Sequence, residues 1–398
     1  MAPRTPPLRK APPLSVESLW QLERIGALSL APDGSQAVCA LTRHSMADNQ
    51  ARSGLWLLPT GAGKPRPLTQ CGDKDGQPAW SPKGDRIAFL ARREQEGERD
   101  ATPQLYLIAP DGGEAHRASR FAPGIEAFKW MPDGQRILFS AWVWPELKGA
   151  AAQNKRHQAW SERKETGYAT SEAYYRYWDH NIPEGRVLHL LLLDLATGRV
   201  RDLFEGTALE LPRDGEAGAT TWDIHPNSQR IAFQHDPAAR KRPGNRLAVA
   251  ELDLKTGRLR ALADDPQWDF GAPSYHPGGE RLALCAAETG RSHKALNELA
   301  LVELGGRKPS WQLLTARDWD HDVEAPLRWA EGGQSLLFCA EERGRRQLWQ
   351  QRLSDGLSAA RPQRLHAEGW VQGFACAGDR LVVSADTAQH PARAWARS

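Results

Sequence analysis

The stretch Pro78–Ala91, P-A-W-S-P-K-G-D-R-I-A-F-L-A, constrains the fold of this chain more than any other. Trp80 ends a short apolar run, Pro82 and Gly84 form a reversal, and Ile87, Phe89 and Ala91 alternate as a second strand. Proline presets φ at the first corner of a tight turn and glycine accepts the positive φ that closes it, so the segment predicts a β-hairpin. The same unit recurs. Leu30-Ala31-Pro32-Asp33-Gly34 leads into Ala37–Leu41, and Trp130-Met131-Pro132-Asp133-Gly134 into Ile137-Leu138-Phe139. Ile224-His225-Pro226-Asn227-Ser228 precedes Ile231-Ala232-Phe233, and Tyr275-His276-Pro277-Gly278-Gly279 precedes Leu282–Leu284. Trp329–Gly333 and Phe374–Gly378 complete a set of seven.

From Gly34 to Gly84 is 50 residues, and Gly84 to Gly134 is another 50. Ser228 to Gly279 is 51, Gly279 to Gly333 is 54 and Gly333 to Gly378 is 45, while Gly134 to Ser228 alone departs, at 94. Each unit also has a second half, a strand, a glycine turn and a strand ending near a leucine, as in Leu55–Leu58 to Leu68 and Leu247–Leu254 to Leu262. Two of these turns read Thr-Gly-Arg, at Thr197-Gly198-Arg199 and Thr256-Gly257-Arg258. A period near 50 with four short strands per unit is the signature of a β-propeller, whose blades bury their faces by stacking on one another. The expected fold is therefore all-β. It is a seven-bladed β-propeller of four-stranded antiparallel blades, the last blade incomplete, preceded by a short N-terminal helix.

The expected domain layout is a disordered leader and short helix over residues 1–24 and the propeller over 25–398. Ser15 is placed to cap a helix running to Ile25, with Leu19, Leu22 and Ile25 on one face. The long interval predicts an insertion at 142–186 between the second and third strands of the third repeat. Its part Gly149–Glu172 is polar, lacks an apolar stripe and reads as mobile, whereas Tyr174–His180 is dense in aromatics and must dock. After Leu381–Ser384 no further glycine turn occurs, so the seventh blade reads as truncated, with at most part of a third strand from Ala392.

The formal charge of +3 is slight and interleaved, which argues against nucleic acid, and no apolar run approaches the ~20 residues of a membrane helix. Five cysteines give no even disulfide framework, and Cys39, Cys285 and Cys339 fall in second strands, where a thiol serves as a small hydrophobe. The expected location is cytoplasmic.

The opening Leu14–Trp20, the repeated W-S-P-x-G-x-x-I-A-F hairpins, the leucine-threonine strands and the Tyr-Arg-Tyr-Trp-Asp-His stretch together resemble the propeller of prolyl oligopeptidase-family serine peptidases. Within that family the likeness is to the bacterial acylaminoacyl-peptidase or dipeptidyl-aminopeptidase branch, over about residues 14–398. The resemblance implies an α/β-hydrolase domain as partner, here the missing C-terminal part of the same protein, and short peptides as substrates. No G-x-S-x-G nucleophile elbow occurs in the chain, so no catalytic residue is assigned and the chain by itself is expected to be inactive.

Within the insertion, Glu172, Arg176, Trp178 and Asp179 offer charge and an aromatic face for a peptide, against the plainer reading that they dock on neighbouring blades. Trp-Asp pairs at Trp178, Trp222, Trp268 and Trp319 lack the Gly-His partner of WD repeats and read as structural turns or pocket rim. His180, His321 and Asp322 lack metal-ligand spacing, and neither a metal nor a cofactor is expected. Glu341-Glu342 reads as a solvated charged loop. Two functions compete: a propeller that gates a peptidase active site, and a free-standing propeller that binds peptides or proteins.

Overall fold

The computed structural model describes residues 15–397 apart from 71–73, 96, 171–175, 178–179, 182–183, 214–217, 238–245, 290–294, 307, 317 and 354–360. Seven antiparallel sheets follow one another along the chain. Blade one uses Arg24–Leu30, Gln36–Ser45, Gln50–Pro59 and Arg66–Pro67, and blade two uses Gly76–Trp80, Ile87–Ala91, Gln104–Ala109 and Gly112–Arg117. Blade three runs Ala127–Trp130, Arg136–Val143, Val187–Asp194 and Val200–Asp202, and blade four Trp222–Ile224, Arg230–His235, Ala248–Asp253 and Leu259–Ala263. Blade five holds Trp268–Tyr275, Arg281–Glu288, Glu298–Glu303 and Ser310–Leu313. Blade six holds Glu324–Ala330, Ser335–Glu342, Arg345–Arg352 and Gln363–His366. Blade seven has three strands, Trp370–Ala377, Arg380–Thr387 and His390–Arg397. The third is a full strand, paired from Thr387↔His390 to Leu381↔Arg397, and not the fragment expected from Ala392.

First strands line the axis. That of blade one touches those of blades two and seven, and the contacts continue around the ring, with Lys129 of blade three reaching the Trp222 carbonyl of blade four. In an antiparallel sheet the first and third turns lie at one end, so every repeat hairpin and every Thr-Gly-Arg turn faces the same way, and the second loops face the other. The hairpins interlock. Ser228, at φ +58°, accepts from the Asp133 amide at 3.0 Å. A Cβ on Gly279 would lie 2.6 Å from the His225 ring of the preceding blade. Between blades the core is built largely from second and third strands with the links between blades, for example Leu105, Phe121, Phe139 and Leu191 between blades two and three, and Leu188, Phe204 and Phe233, joined by Trp222 of a first strand, between three and four. Cys39, Cys285 and Cys339 are buried there, and burial pushes each thiol up to about 12.

Helix α1, Val16–Trp20, is shorter than expected: Ser15 caps it, but the chain is already a strand at Arg24, and Val16, Leu19 and Leu22 stay exposed. The insertion between Val143 and Val187 departs further from expectation. Residues Gly149–Ser161 form α2, a 13-residue helix docked on the protein. The docking is polar. Buried Gln153 bonds both the amide and the carbonyl of Trp144, at 3.0 and 2.8 Å. Asn154 accepts from the Ala122 amide at 2.8 Å and donates to the Arg120 carbonyl, tying α2 to the link between blades two and three. A stripe of apolar residues is not needed when side-chain amides meet backbone groups directly. Residues 163–170 carry no regular structure. Among the described residues no helix is long and apolar enough to cross a membrane.

Candidate functional site

Five residues before each turn residue, the first strand presents one side chain at the same level of the axis. In blades one to six these are Ser29, Ala79, Lys129, Asp223, Ser274 and Arg328. Strand alternation points these positions away from the flanking residues that pack into the blades. Their neighbours link up in register: the Trp130 indole donates to the Ala79 carbonyl at 3.1 Å and the Trp329 indole to the Ser274 carbonyl at 3.0 Å.

Three members of this ring are charged. Lys129 Nζ donates to Asp223 Oδ1 at 2.9 Å and lies 4.9 Å from the centre of the Trp222 ring. The second oxygen of Asp223 accepts from the Tyr275 amide at 2.8 Å, so one carboxylate ties blades three, four and five together. Burial pushes the Lys129 amine below its ordinary value; Asp223 opposes that shift and the Arg328 guanidinium, three blades away around the ring, adds to it. Arg328 is exposed in the channel, and no described carboxylate is paired with it. The axis thus carries a fixed ion pair and a free cation at one level, an arrangement able to grip a carboxylate or a peptide carbonyl.

The insertion stands at the loop end. The Arg186 guanidinium is sandwiched against Trp160, at 4.5 Å, and Trp144, at 5.3 Å, and His157 packs at a tilt on both rings. Glu184 accepts from the Trp160 indole at 2.9 Å and pairs with Arg163. Burial lowers Arg186 to about 10, against the pull of Glu126 and Glu184. Glu126 opens the first strand of blade three. The protein crowded around its carboxyl raises its pKa even though an edge reaches solvent, and Arg186 pulls the other way. Arg186 therefore fixes the rings of the insertion beside the strand it leads into, Val187–Asp194.

Of the residues expected to touch peptide, Glu172, Trp178 and Asp179 lie outside the described residues. Arg176 begins a two-stranded ribbon, Arg176–Tyr177 with His180–Asn181. The Trp-Asp reading holds in part: Trp222 is fully buried, but Asp223 is a channel residue and not a turn. Trp319 is buried and stacks on Trp349, with His321 packed on both, and Asp322 accepts from the Asn297 amide. Glu341 and Glu342 are not a loop. They end a strand, opposite Arg346 and Arg345, and Glu342 pairs with Arg364 at 2.7 Å. Sequence reading missed Lys129, Asp223 and Arg328, although aligning the repeats on their turns places all three at one offset, where other copies carry Ser or Ala.

No family model matches the chain. Dipeptidyl-peptidase 5 of Porphyromonas endodontalis is 26% identical over 284 residues, which are 69% of this chain and 38% of that protein. The chain thus spans well under half the length of that curated relative. Among solved structures, acylaminoacyl peptidase of Pyrococcus horikoshii superposes with a TM-score of 0.69 at 16% identity, over 96% of this chain and 52% of that one. The β-propeller domain of the trilobed protease of Pyrococcus furiosus, described as having an open velcro topology, gives 0.62 at 14% identity, over 94% and 92%. Among the described residues of this chain, blades one and seven exchange no strand.

Proposed function

We propose that this chain, a seven-bladed propeller of the kind carried by prolyl oligopeptidase-family peptidases, screens short peptides for an α/β-hydrolase domain of that family. The observation that carries the reading is the charged ring in the channel. Lys129, Asp223 and Arg328 come from three separate blades and meet on the axis. Peptides are admitted one extended chain at a time, and Arg328 holds a terminal or side-chain carboxylate as it passes. Folded proteins are refused because they cannot enter between the blades. Arg176, with Glu172, Trp178 and Asp179, is proposed to contact the peptide from the insertion, which α2 and Arg186 anchor. The buried, reduced cysteines suit a cytoplasmic protein.

The test measures binding to this chain of an unstructured acidic hexapeptide, and of the same sequence displayed on a folded protein. The expected result is binding of the free peptide alone, weakened at least fivefold by Arg328→Ala. Equal binding of the folded display, unmoved by that variant, sinks the gating reading and leaves a surface-binding module in its place.

A further inference from the structure

On the turn face, away from the insertion, blades three and four enclose a cavity of about 500 Å³ between their hairpins and their Thr-Gly-Arg turns. Four cations line it: Arg136, Arg199, Arg201 and Lys255. Two are held by the fold. Arg136 pairs with Asp133 and donates to the Ser228 carbonyl at 3.0 Å, and Arg201 donates across the gap to the Leu254 carbonyl at 3.2 Å. The side chains of Arg199 and Lys255 are exposed, and no described carboxylate is paired with either. Asp194, the one acid in the lining, is committed to its own turn, accepting from the amide and hydroxyl of Thr197. Burial and the nearby Arg136 and Arg199 together disfavour the charged form of Arg201.

The repeat supplies an internal control. The next groove, between blades four and five, is built from the same backbone parts. Arg230, Arg258 and Arg260 replace Arg136, Arg199 and Arg201, and Arg260 makes the same bond across the gap to the Leu304 carbonyl. There Arg230 is met by a buried glutamate. Glu251 stands where blade three has Leu192; it faces Arg230 at 3.5 Å and accepts from the Tyr275 hydroxyl at 2.7 Å. Glu280, which pairs with His276, replaces Gln229, and Gly305 replaces Lys255. A purely structural role for the arginines predicts equal balance in both grooves. Instead Leu192 and Gln229 stand for Glu251 and Glu280, and Lys255 for Gly305, while Asp133 in place of Asn227 returns one acid, so the first groove holds one acid fewer and one cation more.

We propose that the groove between blades three and four is a binding site for a compact, multiply charged oxyanion, the group shared by phosphorylated and polycarboxylate small molecules. Guanidinium forks meet such oxygens two at a time, and the volume falls in the range of small-molecule sites. The site lies on the opposite face from the insertion, so it is independent of peptide screening.

The experiment titrates this chain at low salt with inorganic pyrophosphate and, separately, with citrate, by calorimetry. Submillimolar binding of at least one is expected. It should weaken at least tenfold in Arg199→Ala/Lys255→Ala and in Gln229→Glu, and stay unchanged in Arg258→Ala, the matching residue of the neighbouring groove. All these side chains are exposed, so the fold is left intact. Tighter binding of pyrophosphate assigns the site to phosphoryl groups, and tighter binding of citrate to carboxylates. Failure of both to bind, or equal loss in Arg258→Ala, overturns the proposal.

Discussion

At the scale of single residues, the channel is held by a charge that its surroundings discourage. Lys129 is mostly covered and is pushed toward its neutral form by burial and by Arg328, while Asp223, facing it at 2.9 Å, favours the charged form. Removing that carboxylate should therefore cost more than removing both partners. Asp223→Asn is expected to lower stability by about 2 kcal/mol in urea titration, and Lys129→Met added to it should recover most of the loss. If the double variant is as unstable as the single, the pair is not coupled. Histidines supply a second residue-level expectation. His157, His225 and His235 are all lowered from 6.5, each mainly by burial. Above 6.5 both folded and unfolded chains hold them neutral. Below it the unfolded chain takes up protons first, so stability falls as pH drops through about 6.5 and below. The melting temperature should accordingly be lower at pH 5.5 than at 7.5, and His157→Phe, which keeps a ring beside Trp160, should shrink the difference. The Lys129–Asp223 partnership went unread because the two are 94 residues apart in the one interval that breaks the repeat, although their shared offset from the turns was there to be seen.

At the scale of elements, the strands and the place of the insertion were legible and the helix inside it was not. A hairpin announces itself through a turn that needs particular residues, and the proline-glycine signal marks the reversal at Gly34, Gly84 and Gly134 directly. Helix α2 has no comparable signature, since it is fixed by Gln153, Asn154, His157 and Trp160, residues that periodicity analysis counts as polar or isolated. The absence of an apolar stripe thus says nothing about docking when the partners are backbone groups. Limited proteolysis should spare Gly149–Ser161 and cut within 163–170, where no regular structure occurs. Trp160→Ala removes one face of the Arg186 sandwich and the partner of Glu184, and should cost about 2 kcal/mol. In that variant new cleavage inside α2 is expected at protease concentrations that leave the parent helix whole. Unchanged cleavage would mean that Gln153 and Asn154 hold the helix without the aromatic stack.

At the scale of the whole molecule, the period near 50 residues established seven units, but the way the ring closes was hidden. The third strand of blade seven follows a turn without glycine or proline, Thr387–His390, in which the Thr387 hydroxyl accepts from the amides of Gln389 and His390 at 3.2 and 3.1 Å. One threonine does the work that a glycine turn does elsewhere, so the strand escaped notice. Among the described residues blades one and seven exchange no strand, so closure there rests on packing. At that seam Leu30, Ala37 and Val382 are buried, with small side chains such as Ala375, Ala377 and Ala394 beside them. The junction of blades two and three instead buries Leu105, Phe121, Phe128, Trp130 and Phe139. At roughly 25 cal/mol per Å² of apolar surface, alanines in place of aromatic rings leave the seam weaker by several kcal/mol. Local opening follows the lowest local stability, so the ring should part between blades seven and one before any other junction. Amides of Arg24–Leu30 and Trp370–Ala377 are expected to exchange with deuterium at least tenfold faster than those of Ala127–Trp130, although all three are first strands lining the same axis. Val382→Ala should accelerate the first two and leave the third unchanged. Uniform exchange around the ring, or faster exchange in blade three, would show that the propeller opens as one cooperative unit and that the thin seam carries no special weakness.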